Sequence, residues 1–90
     1  MRVLQLIDSL NSGGAERMAI GYANQLVNSL DGSFLCATRK EGLLKTTIDS
    51  GVEYLFLKKR RTLDLRAILI LLRYIKKNNI DVIHAHSSSF

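Results

Sequence analysis

The sequence predicts an α/β fold: one parallel β-sheet with helices packed on both faces. Three observations predict it. Four short runs, Arg2 to Asp8, Ser33 to Thr38, Val52 to Leu57 and Asp81 to Ala85, have the length and apolar character of strands covered on both sides. Segments with helical spacing separate them. The connections between are short, which calls for right-handed crossovers and a three-layer arrangement. The favoured spatial order of the strands is 3-2-1-4.

Ninety residues make one domain at most. A composition of 47% apolar and 23% charged residues is that of a folded chain rather than a disordered one. Cys36 is the sole cysteine, so no intramolecular disulfide can form, and within its apolar run it reads as a small buried hydrophobe.

In the first strand, Gln5 is the polar exception and is expected to be hydrogen-bonded locally. Ser9 to Gly14 is a loop by composition. Ala15, Met18, Ala19, Tyr22, Ala23, Leu26 and Val27 then recur at helical spacing and define one apolar stripe, while Glu16, Arg17, Asn24, Gln25 and Asn28 take the other face. Asp31-Gly32 closes the unit with turn chemistry. After the second strand, Glu41 to Ser50 is expected as a short helix, with Leu44 and Ile48 one turn apart and Gly51 suited to its C-cap. The third strand leads into a basic loop, Lys58 to Thr62, read as solvated. Leu63 to Asn78 is a strong helix, with Asp64 near its start and Lys76-Lys77 at its end, both favourable to the helix dipole. The fourth strand runs into the loop His86 to Phe90.

The net charge of +5 favours anionic partners: nucleotide-bearing ligands, phospholipid surfaces or nucleic acid. Much of the excess lies in Lys58 to Arg61. No aromatic platform or recognised motif accompanies that run, so nucleic acid is not expected. No stretch approaches the roughly 18 apolar residues of a membrane span, and Met1-Arg2 leads straight into a strand rather than a signal peptide. A cytoplasmic location is expected, with peripheral contact at the inner membrane face as an option.

Open parallel sheets bind ligands beyond the carboxyl ends of their strands, where the strand order reverses. That point lies between strands one and four. Two loops meet there, Asn11-Ser12-Gly13-Gly14 and His86-Ser87-Ser88. Gly13 and Gly14 immediately precede a helix, whose free amides and dipole suit a phosphate, and glycine permits positive φ and close approach. The same pair also serves as a plain connecting turn. It is neither the G-x-G-x-x-G fingerprint nor a P-loop. His84 and His86 lie on one side of the fourth strand, because strand side chains alternate. His86, nearer the carboxyl edge, is the candidate catalytic residue, and His84 is expected to be structural. No metal site is expected: there is no further histidine, and Cys36 belongs to the second strand.

At these residues the chain resembles glycosyltransferase family 4, the group 1 retaining transferases. The Asn11-Ser12-Gly13-Gly14-Ala15-Glu16-Arg17 run after an apolar strand carries the resemblance, and Asp81-Val82-Ile83-His84-Ala85-His86-Ser87 is similar to the family's fourth strand and following loop. Lys40-Glu41-Gly42 and Gly51-Val52 fit less specifically. The resemblance implies a GT-B enzyme of two Rossmann-like domains, one holding the acceptor and the other the nucleotide sugar. Retention of configuration and independence of bound metal or other cofactor are implied with it. The partners would be a nucleotide-sugar donor and a saccharide or lipid-linked acceptor. Gly13 and Gly14, flanked by Ser12, would lie against the donor phosphates. His86, followed by Ser87, would face the donor sugar. Residues 1–90 are expected to be a partial acceptor-side domain, without the nucleotide-sugar domain and inactive alone. The alternative is the NADP-binding domain of an oxidoreductase, with Arg39-Lys40 near a ribose 2′-phosphate.

In the third helix, Arg66, Arg73 and Lys77 form a narrow stripe beside a broad apolar arc. The arc suits either burial against further parts of the domain or shallow membrane contact aided by Lys58 to Arg61.

Overall fold

The computed structural model describes residues 1–10, 13–28, 31–60 and 64–86. In chain order these form β1 (Arg2–Ser9), α1 (Gly14–Leu26), β2 (Gly32–Lys40), a 3-10 turn (Leu43–Thr47), β3 (Glu53–Phe56), α2 (Leu65–Lys77) and β4 (Val82–Ala85). The four strands make one sheet in the order β3-β2-β1-β4, with every pair parallel. This is the predicted Rossmann-like arrangement.

The sheet divides the core into two layers. On one side Ile7, Leu10, Leu35 and Ala37 pack with Ala19, Ile20 and Ala23 of α1. On the other, Leu4, Leu6, Phe34, Cys36 and Leu57 pack with Ala67 and Leu71 of α2. Because side chains of a strand alternate between faces, one stretch of β1 feeds both layers, which is why it reads as a nearly continuous apolar run. Burial holds the Cys36 thiol up to about 12.

The buried face of α1 differs from the stripe expected for it. Ala19, Ile20 and Ala23 are buried, whereas Met18 and Tyr22 are exposed. Two alanines let the helix lie close to the sheet, and that approach selects the face bearing Ile20 over the bulkier Met18 and Tyr22. The buried Ser33 hydroxyl donates to the Ala23 carbonyl at 2.7 Å and ties α1 to the start of β2.

The helix expected over Glu41 to Ser50 is a shorter 3-10 turn, and no glycine takes positive φ, so Gly51 is not a left-handed C-cap. Its hydroxyls explain the tighter winding. Thr46 and Thr47 donate to the carbonyls of Leu43 and Leu44, and the Leu44 amide is taken by the Leu10 carbonyl. Such local bonds compete with a regular helix. Leu44 and Ile48 still pack against the α1-side core.

The basic loop is not uniformly solvated. Lys59 is 5% exposed, and its amide donates to the Thr38 carbonyl at 2.7 Å, continuing the course of β3 alongside β2. Lys58 takes a left-handed φ of 53° to allow it. Arg61, Thr62 and Leu63 lie outside the described residues. Asp64 then caps α2: its carboxylate accepts from the amides of Ala67 and Arg60. These bonds hold its carboxyl below the ordinary value of 3.8.

Two outcomes follow from this packing. A thiol reagent should leave Cys36 unmodified in the native protein and label it only at the rate of unfolding, since the thiol is buried and protonated. Replacement of Asp64 by Ala should lower Tm by a few degrees at neutral pH. A carboxyl whose folded pKa is depressed stabilises above its unfolded value, so the deficit should shrink as pH falls below 3.8. Thermal melts across that range measure it.

Candidate functional site

Parallel pairing on both sides of β1 brings the carboxyl ends of β1, β2 and β4 to one rim. The order reverses between β1, which leads into α1, and β4, which leads to His86. The residues singled out at the strand tips are therefore carried by neighbouring strands on the same edge. Ser12 and Ser87 lie outside the described residues. Gly13, Gly14 and His86 lie within them.

Gly13 is the N-cap of α1, with φ −155° and ψ 169°, an extended conformation open to any residue. Its only close neighbour is the end of a flexible side chain. A Cβ there would stand 2.6 Å from Glu16 Oε1. The Glu16 carboxylate folds back over the helix start and accepts from the Ser9 hydroxyl at 3.1 Å. A negative group is thus already stationed at the positive end of α1. Gly14 is exposed, and a Cβ built on it would meet nothing within 4 Å. Among the described residues no carbonyl accepts from the amides of Gly14 or Ala15, while the Arg17 amide closes the first helical bond onto the Gly13 carbonyl at 3.0 Å. The open side of the bend is therefore that of Gly14.

His86 is anchored at two points. Its amide donates to the Leu6 carbonyl at 2.9 Å, extending the β1–β4 ladder by one bond. Its Nε2 donates to Gln5 Oε1 at 2.6 Å. Gln5 is 1% exposed and pairs in register with His84. An amide oxygen can only accept, so this contact places the imidazole proton on Nε2 and leaves Nδ1 with its lone pair.

The two imidazoles lie with centroids 4.1 Å apart and planes tilted by 40°, on one face of β4. The Tyr22 ring of α1 lies over both, at 5.4 Å from His84 and 5.8 Å from His86. Tyr22 is thus turned towards β4 instead of the main core. Burial, and then the neighbouring His84, lower the His86 pKa from 6.5, so the ring is neutral at pH 7. Sequence reasoning missed Gln5 and Tyr22 as members of this cluster. The signal for Gln5 was a polar residue in the middle of a strand covered on both faces.

Elsewhere, a groove of about 410 Å³ runs between α1 and the 3-10 turn, lined by Ile20, Gly21, Asn24 and Leu44 among others. It contains neither His86 nor the glycine bend. Among the described residues no group of three or more metal-ligating side chains occurs. Arg39, the residue offered to a ribose phosphate in the alternative reading, is paired with Asp8 at 3.3 Å.

A protein-family model described as Glycosyltransferase Family 4 matches residues 12–90. Searches of curated proteins and of solved structures return no match.

The histidine pair makes a direct prediction. Replacement of His84 by Ala should raise the His86 pKa towards 6.5, as one of the two causes of its depression is removed. A histidine with a depressed folded pKa costs stability as pH falls below its unfolded value. Acid destabilisation between pH 6.5 and the folded pKa should therefore be weaker in the variant. Imidazole proton shifts followed by NMR across that range check the titration.

Proposed function

Because the chain belongs to Glycosyltransferase Family 4, we propose that it provides the acceptor-side face of a transferase site. In that site a sugar passes from a nucleotide-sugar donor to a saccharide or lipid-linked acceptor. The reaction proposed proceeds with retention of configuration, in a GT-B enzyme whose other lobe carries the nucleotide. The observation that carries this reading is the shared rim: a glycine bend at a helix start, with its Gly14 side exposed, and on the same sheet edge a histidine whose tautomer is held by Gln5.

Each group has a role suited to its chemistry. The amides of Gly14 and Ala15 receive donor phosphate oxygens, where the helix dipole favours negative charge. Ser12 and Ser87, adjacent in sequence, add hydroxyl donors. His86 Nδ1 accepts from a sugar hydroxyl, and as a neutral ring it does so without competing for the phosphate charge. Gln5 acts through His86 as a positioning residue. The Glu16 carboxylate repels anions close to Gly13, which directs the phosphate to the Gly14 side. No cofactor or metal is needed for these contacts. In this reading transfer also requires a second lobe to deliver the activated sugar.

Titration with UDP or GDP, followed by NMR, tests the reading without turnover. The amide signals of Gly14 and Ala15 and the imidazole signals of His86 should move together. Gly14→Val should weaken the effect by roughly tenfold, through loss of close backbone approach. Glu16→Gln should strengthen it a few-fold, because a like charge at the helix start is removed. Shifts that appear instead around Arg39 and Lys40, and respond to NADPH, would favour the dinucleotide-binding alternative.

A further inference from the structure

The histidine pair at the tip of β4 has a capacity that sugar transfer does not use. His84 lies in β4 and His86 just beyond its end, so their side chains leave the same face of the chain. Their ring centroids are 4.1 Å apart. Two nitrogens that bind one ion at about 2.0 Å in a tetrahedral site stand about 3.3 Å from each other. Rings at this centroid spacing reach that separation by small rotations about their side-chain bonds, with the backbone unmoved.

The nitrogens needed are unengaged. His86 Nε2 gives its proton to Gln5 Oε1 at 2.6 Å, which leaves the lone pair on Nδ1. Among the described residues no hydrogen bond reaches His86 Nδ1 or either ring nitrogen of His84. His84 is exposed, so an ion has access to it from solvent. The bond to Gln5 is the kind of support a metal-ligating histidine ordinarily has. Its second ring nitrogen donates to a fixed acceptor, which sets the tautomer, holds the ring and raises the basicity of the ligand nitrogen. Gln5 is buried in the inner strand β1, so that support is rigid. The Tyr22 ring covers both imidazoles from α1 and limits the directions in which they turn.

We infer that His84 and His86 together bind one divalent transition-metal ion of the zinc, nickel and copper class. The ligands are Nδ1 of His86 and a ring nitrogen of His84. Imidazole suits these ions, whereas magnesium and calcium take oxygen ligands. The lack of a further histidine excludes a closed site of three or four imidazoles. It leaves room for a two-ligand site in which water fills the other positions, and among the described residues no third ligating side chain joins the pair. Cys36 is not a ligand, because its thiol lies in the core on the α2 side of the sheet while Tyr22 and the imidazoles are on the α1 side. The inference stands apart from the transferase reading, since it uses the imidazole nitrogens alone. Where both hold, the ion takes the lone pair that reading gives to a sugar hydroxyl, and so acts as an inhibitor.

Calorimetric titration of the protein with zinc chloride tests the site. Saturation is expected at one ion per chain, with no comparable binding of magnesium chloride. Loss of a supporting bond alone costs a metal site about 10–100-fold in affinity, so His84→Ala, which removes a ligand, should weaken zinc binding by roughly tenfold or more. Cys36→Ser should leave it unchanged, and circular dichroism checks that both variants remain folded. A second measurement needs no substitution. Paramagnetic copper(II) added in small amounts should broaden the NMR signals of the Tyr22 ring first. Tyr54, on β3 at the other edge of the sheet, and Tyr74, on the α2 side, should follow only at higher concentration. Absence of zinc binding, affinity unchanged in His84→Ala, or loss of binding in folded Cys36→Ser would overturn the inference. So would magnesium binding as tight as zinc, or copper broadening that reaches Tyr54 or Tyr74 before Tyr22.

Discussion

The buried amide of Gln5 constrains this structure more than any other polar group. β1 is the inner strand between β2 and β4 and is covered on both faces, so a polar side chain in its middle has no water to bond. Leaving such a group unpaired costs about 1–3 kcal/mol. His86 supplies the partner, with β4 parallel to β1 and Gln5 opposite His84. A slip of one residue would turn the histidines to the α2 side of the sheet. One polar residue therefore helps fix the register of the edge strand, the ring orientation of His86 and the stack that Tyr22 completes.

The same rim is organised electrostatically. At the helix start, the Glu16 carboxylate sits where an anion would otherwise settle, bonded to Ser9. Next to Ser9 on β1, Asp8 accepts from Thr38 and pairs with Arg39, both on β2. The amides left open are those of Gly14 and Ala15, on the exposed side of the bend. Negative side chains thus narrow the positions at which the proposed phosphate contact could form. Selectivity of this kind comes from excluding wrong placements as much as from attracting right ones.

The order of elements and the strand order were legible in the sequence because each strand is a short, mostly apolar run and each connection is short. The glycine bend and the histidine tip were legible because topology alone sends them to one rim. What escaped was set by packing distance and by local bonds. The helical period in α1 fits Met18 and Tyr22 as well as Ile20, and only the close approach allowed by Ala19 and Ala23 decides between them. The threonine hydroxyls that tighten Leu43–Thr47 leave no mark in hydrophobic spacing. The glycine spacing suggests a conformational need at Gly13, whereas its backbone is ordinary and only the movable Glu16 carboxylate lies where a Cβ would stand. Lys59 was grouped with a solvated basic run, yet the chain after β3 stays beside β2 and takes it inside.

Gln5, Tyr22 and His86 meet on the α1 side of the sheet at the carboxyl rim. Nuclear Overhauser contacts measure this directly. Cross-peaks from the Tyr22 ring protons to the imidazole protons of both His84 and His86, together with slow exchange of the His86 amide, are the result this structure requires. A His86 amide that exchanges freely, with no ring-to-ring cross-peak from Tyr22, would contradict it.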